Sequence, residues 1–92
     1  METAPVSTTL DRLRSEQRLS GLAVSESGFA FDPQFGQSYT VNQAGVTVLS
    51  LLSKGMSIDS VASRLAQEYD IPETIALTGI EAFLRQLGRY LL

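Results

Sequence analysis

Apolar positions change their period twice along this chain. From Arg18, the residues Leu19, Gly21, Ala23 and Ser25 alternate with Ser20, Leu22, Val24 and Glu26, a weak period-2 pattern. Ser25-Glu26-Ser27-Gly28 reads as a turn, and Phe29-Ala30-Phe31 then puts two rings on one face of a strand. Asp32-Pro33-Gln34-Phe35-Gly36 is a loop in which Pro33 presets a turn and Gly36 can take a positive φ. Gln37-Ser38-Tyr39-Thr40-Val41 is rich in β-forming residues, with Tyr39 and Val41 on one face and Ser38 and Thr40 on the other. The pattern predicts a small antiparallel sheet of two or three strands.

The period then becomes helical. Asn42 is a good N-cap, Val46, Leu49 and Leu52 recur at three-residue steps, and Ala44, Val48 and Leu51 widen the apolar face. Lys54-Gly55 predicts the helix end, with glycine in the left-handed position and the lysine near the negative end of the dipole. Ser57 caps a second helix carrying Ile58, Val61, Ala62, Leu65 and Tyr69, and Asp70 closes it. Pro72 at the first helical position opens a third, whose stripe is Ile80, Phe83, Leu84, Leu87 and Leu91. Residues 1–17 are polar and Ser/Thr-rich, and they read as a flexible tail, although Leu10 and Leu13 permit a helical turn.

The expectation is therefore an α+β domain over 18–92, with a small sheet followed by three helices. A hairpin beside three helices has winged helix-turn-helix-like architecture, here with the hairpin first. A chain of 92 residues, 43% hydrophobic and 18% charged, suits one small folded domain. No apolar run approaches the ~18–20 residues that a membrane span needs. The N-terminus has neither the basic region nor the apolar stretch of a signal peptide, so a cytoplasmic location is expected.

Composition narrows the chemistry. The chain has no Cys and no His, which removes thiolate nucleophiles, imidazole bases and almost every zinc or iron site. No paired carboxylates, phosphate loop or Ser–base pair stands out, so no catalysis, no metal and no cofactor are expected. The net charge is −3, where a domain that grips phosphates should carry a basic surface. The alternative of a winged-helix DNA-binding regulator would need basic residues on its third helix, which offers Arg85 and Arg89 against Glu73 and Glu81.

Two surfaces remain as candidates for binding. Gln37, Ser38, Tyr39, Thr40 and Val41 form a strand with neither charge nor proline to protect its edge, so an extended peptide can add to it. The competing reading is that the N-terminal segment covers that edge. On the third helix, Ile75, Gly79, Ala82 and Gln86 fall on one strip, with Phe83 and Tyr90 between it and the core. Small residues there make either a trough for a ligand or a seat for another helix. A proline at Tyr39 is expected to abolish peptide binding by removing a ladder donor. Arg64, Arg85 and Arg89 offer ion pairs to acidic residues of a ligand, or are plain solvated charge.

Several of these segments, in this order, resemble the PqqD family, named after a protein of pyrroloquinoline quinone biosynthesis. They are Gly28-Phe29-Ala30-Phe31-Asp32, Tyr39-Thr40-Val41-Asn42, Val48-Leu49-Ser50-Leu51-Leu52, Lys54-Gly55-Met56-Ser57-Ile58, Leu65-Ala66-Gln67-Glu68-Tyr69-Asp70-Ile71 and Ile80-Glu81-Ala82-Phe83-Leu84-Arg85-Gln86-Leu87. Gly79 stands where the family commonly has Asp, and Lys54 where it usually has an acid. The resemblance implies a recognition element for ribosomally made, modified peptides. In such a domain the leader of a precursor peptide adds to the third strand and packs against the third helix. The domain then presents the peptide to a modifying enzyme such as a radical S-adenosylmethionine protein. A homodimer through the open edge stays compatible with the sequence.

Overall fold

The computed structural model describes residues 5–92. The order of elements is α1 (Val6–Ser15), β1 (Ala23–Val24), β2 (Phe29–Asp32), β3 (Gln37–Thr40), α2 (Gln43–Ser53), α3 (Ile58–Tyr69) and α4 (Glu73–Leu91). The three strands form one antiparallel sheet in the order β1-β2-β3, followed by three helices, an α+β layout. In register, Phe29 faces Thr40, Ala30 faces Tyr39, Phe31 faces Ser38 and Asp32 faces Gln37. One face of the sheet, carrying Ala30 and Asp32, turns inward. The other carries Phe29, Phe31, Ser38 and Thr40, and all four are exposed.

The helix boundaries follow the local chemistry. Asn42 Oδ1 accepts from the Gly45 N–H at 2.7 Å, satisfying one of the free donors at the start of α2. At its other end Gly55 takes φ +90°, Met56 N–H bonds Leu51 O and Gly55 N–H bonds Leu52 O, a Schellman stop. Lys54 takes no part in capping those carbonyls through its side chain. Arg14 does so from α1, donating to Leu52 O at 3.2 Å and Met56 O at 2.6 Å. Ser57 caps α3 through the Ser60 N–H, and Asp70 closes it in the left-handed region. Pro72 lies one position earlier than the sequence predicts: it is the N-cap of α4, in extended conformation, and Glu73 opens the helix.

Two expectations need correction. The region read as a flexible tail over 1–17 contains a ten-residue helix, and its Val6, Leu10 and Leu13 are buried in the core. The apolar residues recur at helical spacing and find a partner in α4, where Thr9 closes against Gly88. Residues 1–4 of that region lie outside the described residues. The weak alternation from Arg18 to Ser25 also yields a strand of only two residues. Turns occupy the segment before it, with Arg18 N–H bonded to Leu13 O and Gly21 N–H to Gln17 O. Arg18 and Leu19 are both buried, so tertiary contacts override the local period.

The core sits between the inner face of the sheet and the helices. Leu13, Leu49, Leu52, Val61, Ile80 and Leu84 are its largest fully buried side chains. They come from α1, α2, α3 and α4, so the N-terminal helix is part of one continuous core.

Candidate functional site

The site begins with the backbone of β3. The Val41 N–H donates to Gly28 O at 2.7 Å, so those two residues form a hydrogen-bonded pair. In an antiparallel ladder such pairs alternate along the strand. Tyr39 and Gln37 therefore also spend their N–H and C=O groups on β2. Ser38 and Thr40 turn theirs the other way, towards an edge that no strand occupies among the described residues. The helix that could have covered this edge does not lie there. α1 packs on α4 and reaches the end of α2.

Beside that edge lies a groove of about 440 Å³. Its sheet wall is Ala30 and Ser38 to Asn42, its floor Leu22 and Leu49, and its helix wall Phe83, Gln86, Leu87, Tyr90 and Leu91. Among the described residues no charged side chain lines it. Tyr39 and Tyr90, one from each wall, meet with ring centroids 5.6 Å apart and tilted by 46°. The Tyr39 hydroxyl donates to Gln37 Oε1 at 2.8 Å.

A second groove, of about 450 Å³, opens between α2, the end of α3 and the start of α4. It is lined by Val48, Leu65, Tyr69, Ile71, Ile75, Gly79 and Phe83 among others, and is almost wholly apolar. Asn42 and Phe83 line both grooves, so the two adjoin at these side chains.

The residues singled out from sequence divide between these features. Ser38, Tyr39, Thr40, Val41, Phe83 and Gln86 line the first groove, and Ile75, Gly79 and again Phe83 line the second. Gln37 and Ala82 are exposed and line neither. Gly79 does not seat another helix: a Cβ there would meet nothing within 4 Å. Gly45, by contrast, is tightly enclosed: a Cβ there would run into Val41 Cγ1 and lie 3.2 Å from Phe83 Cε1. Sequence reasoning missed Leu22, Ala30, Asn42, Leu49, Leu87 and Leu91 as residues of the first groove, placed Tyr90 only between the strip and the core, and missed the α2 and α3 side of the second groove altogether. Asn42 was legible only as a cap, and Leu65 and Tyr69 only as one face of a helix.

Among the described residues no cluster of His, Cys, Asp or Glu could hold a metal ion. No helix among them is long and apolar enough to cross a membrane.

An open sheet edge bordering a mainly apolar, uncharged groove is a geometry that suits an added peptide strand. Residues 26–92 match the family model of PqqD, coenzyme PQQ synthesis protein D, and the chain belongs to that family. No curated protein and no solved structure gave a match. The family match begins after α1 and β1, which lie outside it.

Proposed function

We propose that this chain is a non-catalytic peptide chaperone. It takes an extended leader segment of a ribosomally made precursor peptide as a fourth strand on β3 and presents the peptide to a modifying enzyme, such as a radical S-adenosylmethionine enzyme. The observation that carries this reading is the outward edge at Ser38 and Thr40, set directly above the first groove. Main-chain bonds to those two residues would hold any sequence, and the groove would select apolar side chains. Membership of the PqqD family supports the same reading. In it, Gln37 to Val41 supply the docking strand, and Ile75, Gly79, Ala82, Phe83 and Gln86 supply the flank along α4.

The ladder alternation also chooses the test. Proline at Tyr39 would break the bonds that hold β3 to β2, so lost binding there could report a broken sheet. Proline at Thr40 removes an outward donor and leaves the inward bonds of Tyr39 and Val41 in place. Thr40→Pro should abolish binding of synthetic leader segments in calorimetry while the far-ultraviolet circular dichroism stays unchanged. A folded Thr40→Pro protein that binds with wild-type affinity would rule out strand addition.

A further inference from the structure

The strand-addition reading leaves the outer face of the sheet unexplained. Phe29 is 56% exposed and Phe31 42%, side by side on the face turned away from the helices. Opposite them across the sheet stand Ala23, Ser25, Ser38 and Thr40, all small or modest. None of these partners is charged.

We propose that this face is a second contact surface for the same peptide, taking large apolar side chains at alternate positions of the added strand. The inference rests on strand addition at β3. Side chains of a strand alternate between faces, so any strand added there must place every second residue on the outer side. Directly opposite residues share a face. The peptide residues opposite Ser38 and Thr40 therefore lie outside, and the one opposite Tyr39 points into the first groove.

The sheet then carries two rows across its strands. One runs from the peptide over Thr40 to Phe29, and the other over Ser38 to Phe31 and on to Ala23. Two strands apart is roughly 10 Å, too far for small side chains but within the combined reach of two rings. Ser38 is small enough to be leaned over, so the second row is the stronger. The ligand class is thus an extended peptide with three successive apolar residues, the middle one inward and the outer two over Ser38 and Thr40. A flat dimer contact fits the face less well, because β1 has only two residues and the apolar strip is narrow.

A library of random linear peptides, selected on the full chain, tests this. Among peptides lost on Thr40→Pro, the expected enrichment is of large apolar residues two apart, flanking an apolar one. Phe31→Ser should weaken these peptides by roughly tenfold, as loss of an aromatic pair would. That loss should vanish when the peptide residue opposite Ser38 is alanine. Peptides that need Thr40 but bind Phe29→Ser and Phe31→Ser normally would overturn the outer-face contact and leave strand addition standing. Peptides that bind Thr40→Pro normally would overturn both. A dimer in sedimentation that Phe31→Ser converts to monomer would give the face to a second copy and overturn the inference.

Discussion

Arg18 and Asp32 form a buried ion pair, with Nη2 2.6 Å from Oδ2 and both side chains almost fully enclosed. The same guanidinium donates through Nε to Leu91 O at 2.8 Å and through Nη1 to Gln34 Oε1. Phe35 stacks over it at 4.8 Å. One side chain thus fastens the end of β2, the following loop and the last turn of α4. Of the elements so joined, β2 lends Ala30 and α4 lends Leu91 to the lining of the first groove.

Removing one partner strands the other charge in the interior, which costs about 3–5 kcal/mol. Arg18→Met should lower the urea midpoint by a corresponding amount, and the double variant Arg18→Met, Asp32→Leu should recover part of the loss. An unchanged midpoint in Arg18→Met would mean that the pair does not hold these segments together.

Gly79 separates stability from binding. It sits inside α4, where alanine is favoured over glycine by up to ~1 kcal/mol, and its surroundings are open. Gly79→Ala should therefore raise the melting temperature slightly. Gly79→Leu should keep most of that gain but fill the second groove and weaken peptide binding. Calorimetry and thermal melts on the same two variants check this, and normal peptide affinity in Gly79→Leu would remove the second groove from the site.

Much of this was legible in the sequence because short-range chemistry decides it. Asn42, Gly55, Ser57 and Asp70 end or begin helices through bonds to neighbours within a few positions, and a local reading finds them. The open edge at Ser38 and Thr40 was legible as an unprotected strand. Which of its residues face outward was not, since that depends on the register with β2. The helix α1 was misread for a similar reason. Its polar residues outnumber its apolar ones, and Val6, Leu10 and Leu13 matter only because α4 is there to receive them. The second groove joins three elements far apart in sequence, so no local pattern announces it.

Gly28 and Gly55 both hold positive φ, at +102° and +90°, but their surroundings differ. A Cβ at Gly55 would meet nothing within 4 Å, whereas one at Gly28 would lie 2.7 Å from Val41 O. Gly55→Ala should cost backbone strain alone, on the order of 1 kcal/mol. Gly28→Ala should cost more, because it also pushes the end of β3 away from β2. Equal losses in urea unfolding would show that the close approach to Val41 is relieved without disturbing the sheet.

The N-terminal helix gives the sharpest separation of a tail from a structural element. Leu13 is fully buried, and truncating such a residue to alanine costs about 2–5 kcal/mol. Asp11, between the buried Leu10 and Leu13 on the same helix, is exposed, and its change to alanine should stay within about 0.5 kcal/mol. Because α1 lies behind α4 and Arg14 caps the end of α2, deletion of residues 1–17 should lower stability by more than Leu13→Ala alone. It should also loosen α4 and weaken peptide binding, although no residue of α1 lines either groove. Thermal unfolding of Leu13→Ala, Asp11→Ala and the truncated chain, with calorimetry on the last, checks all three expectations. A truncated chain that melts and binds like the full one would return this segment to the status of a tail.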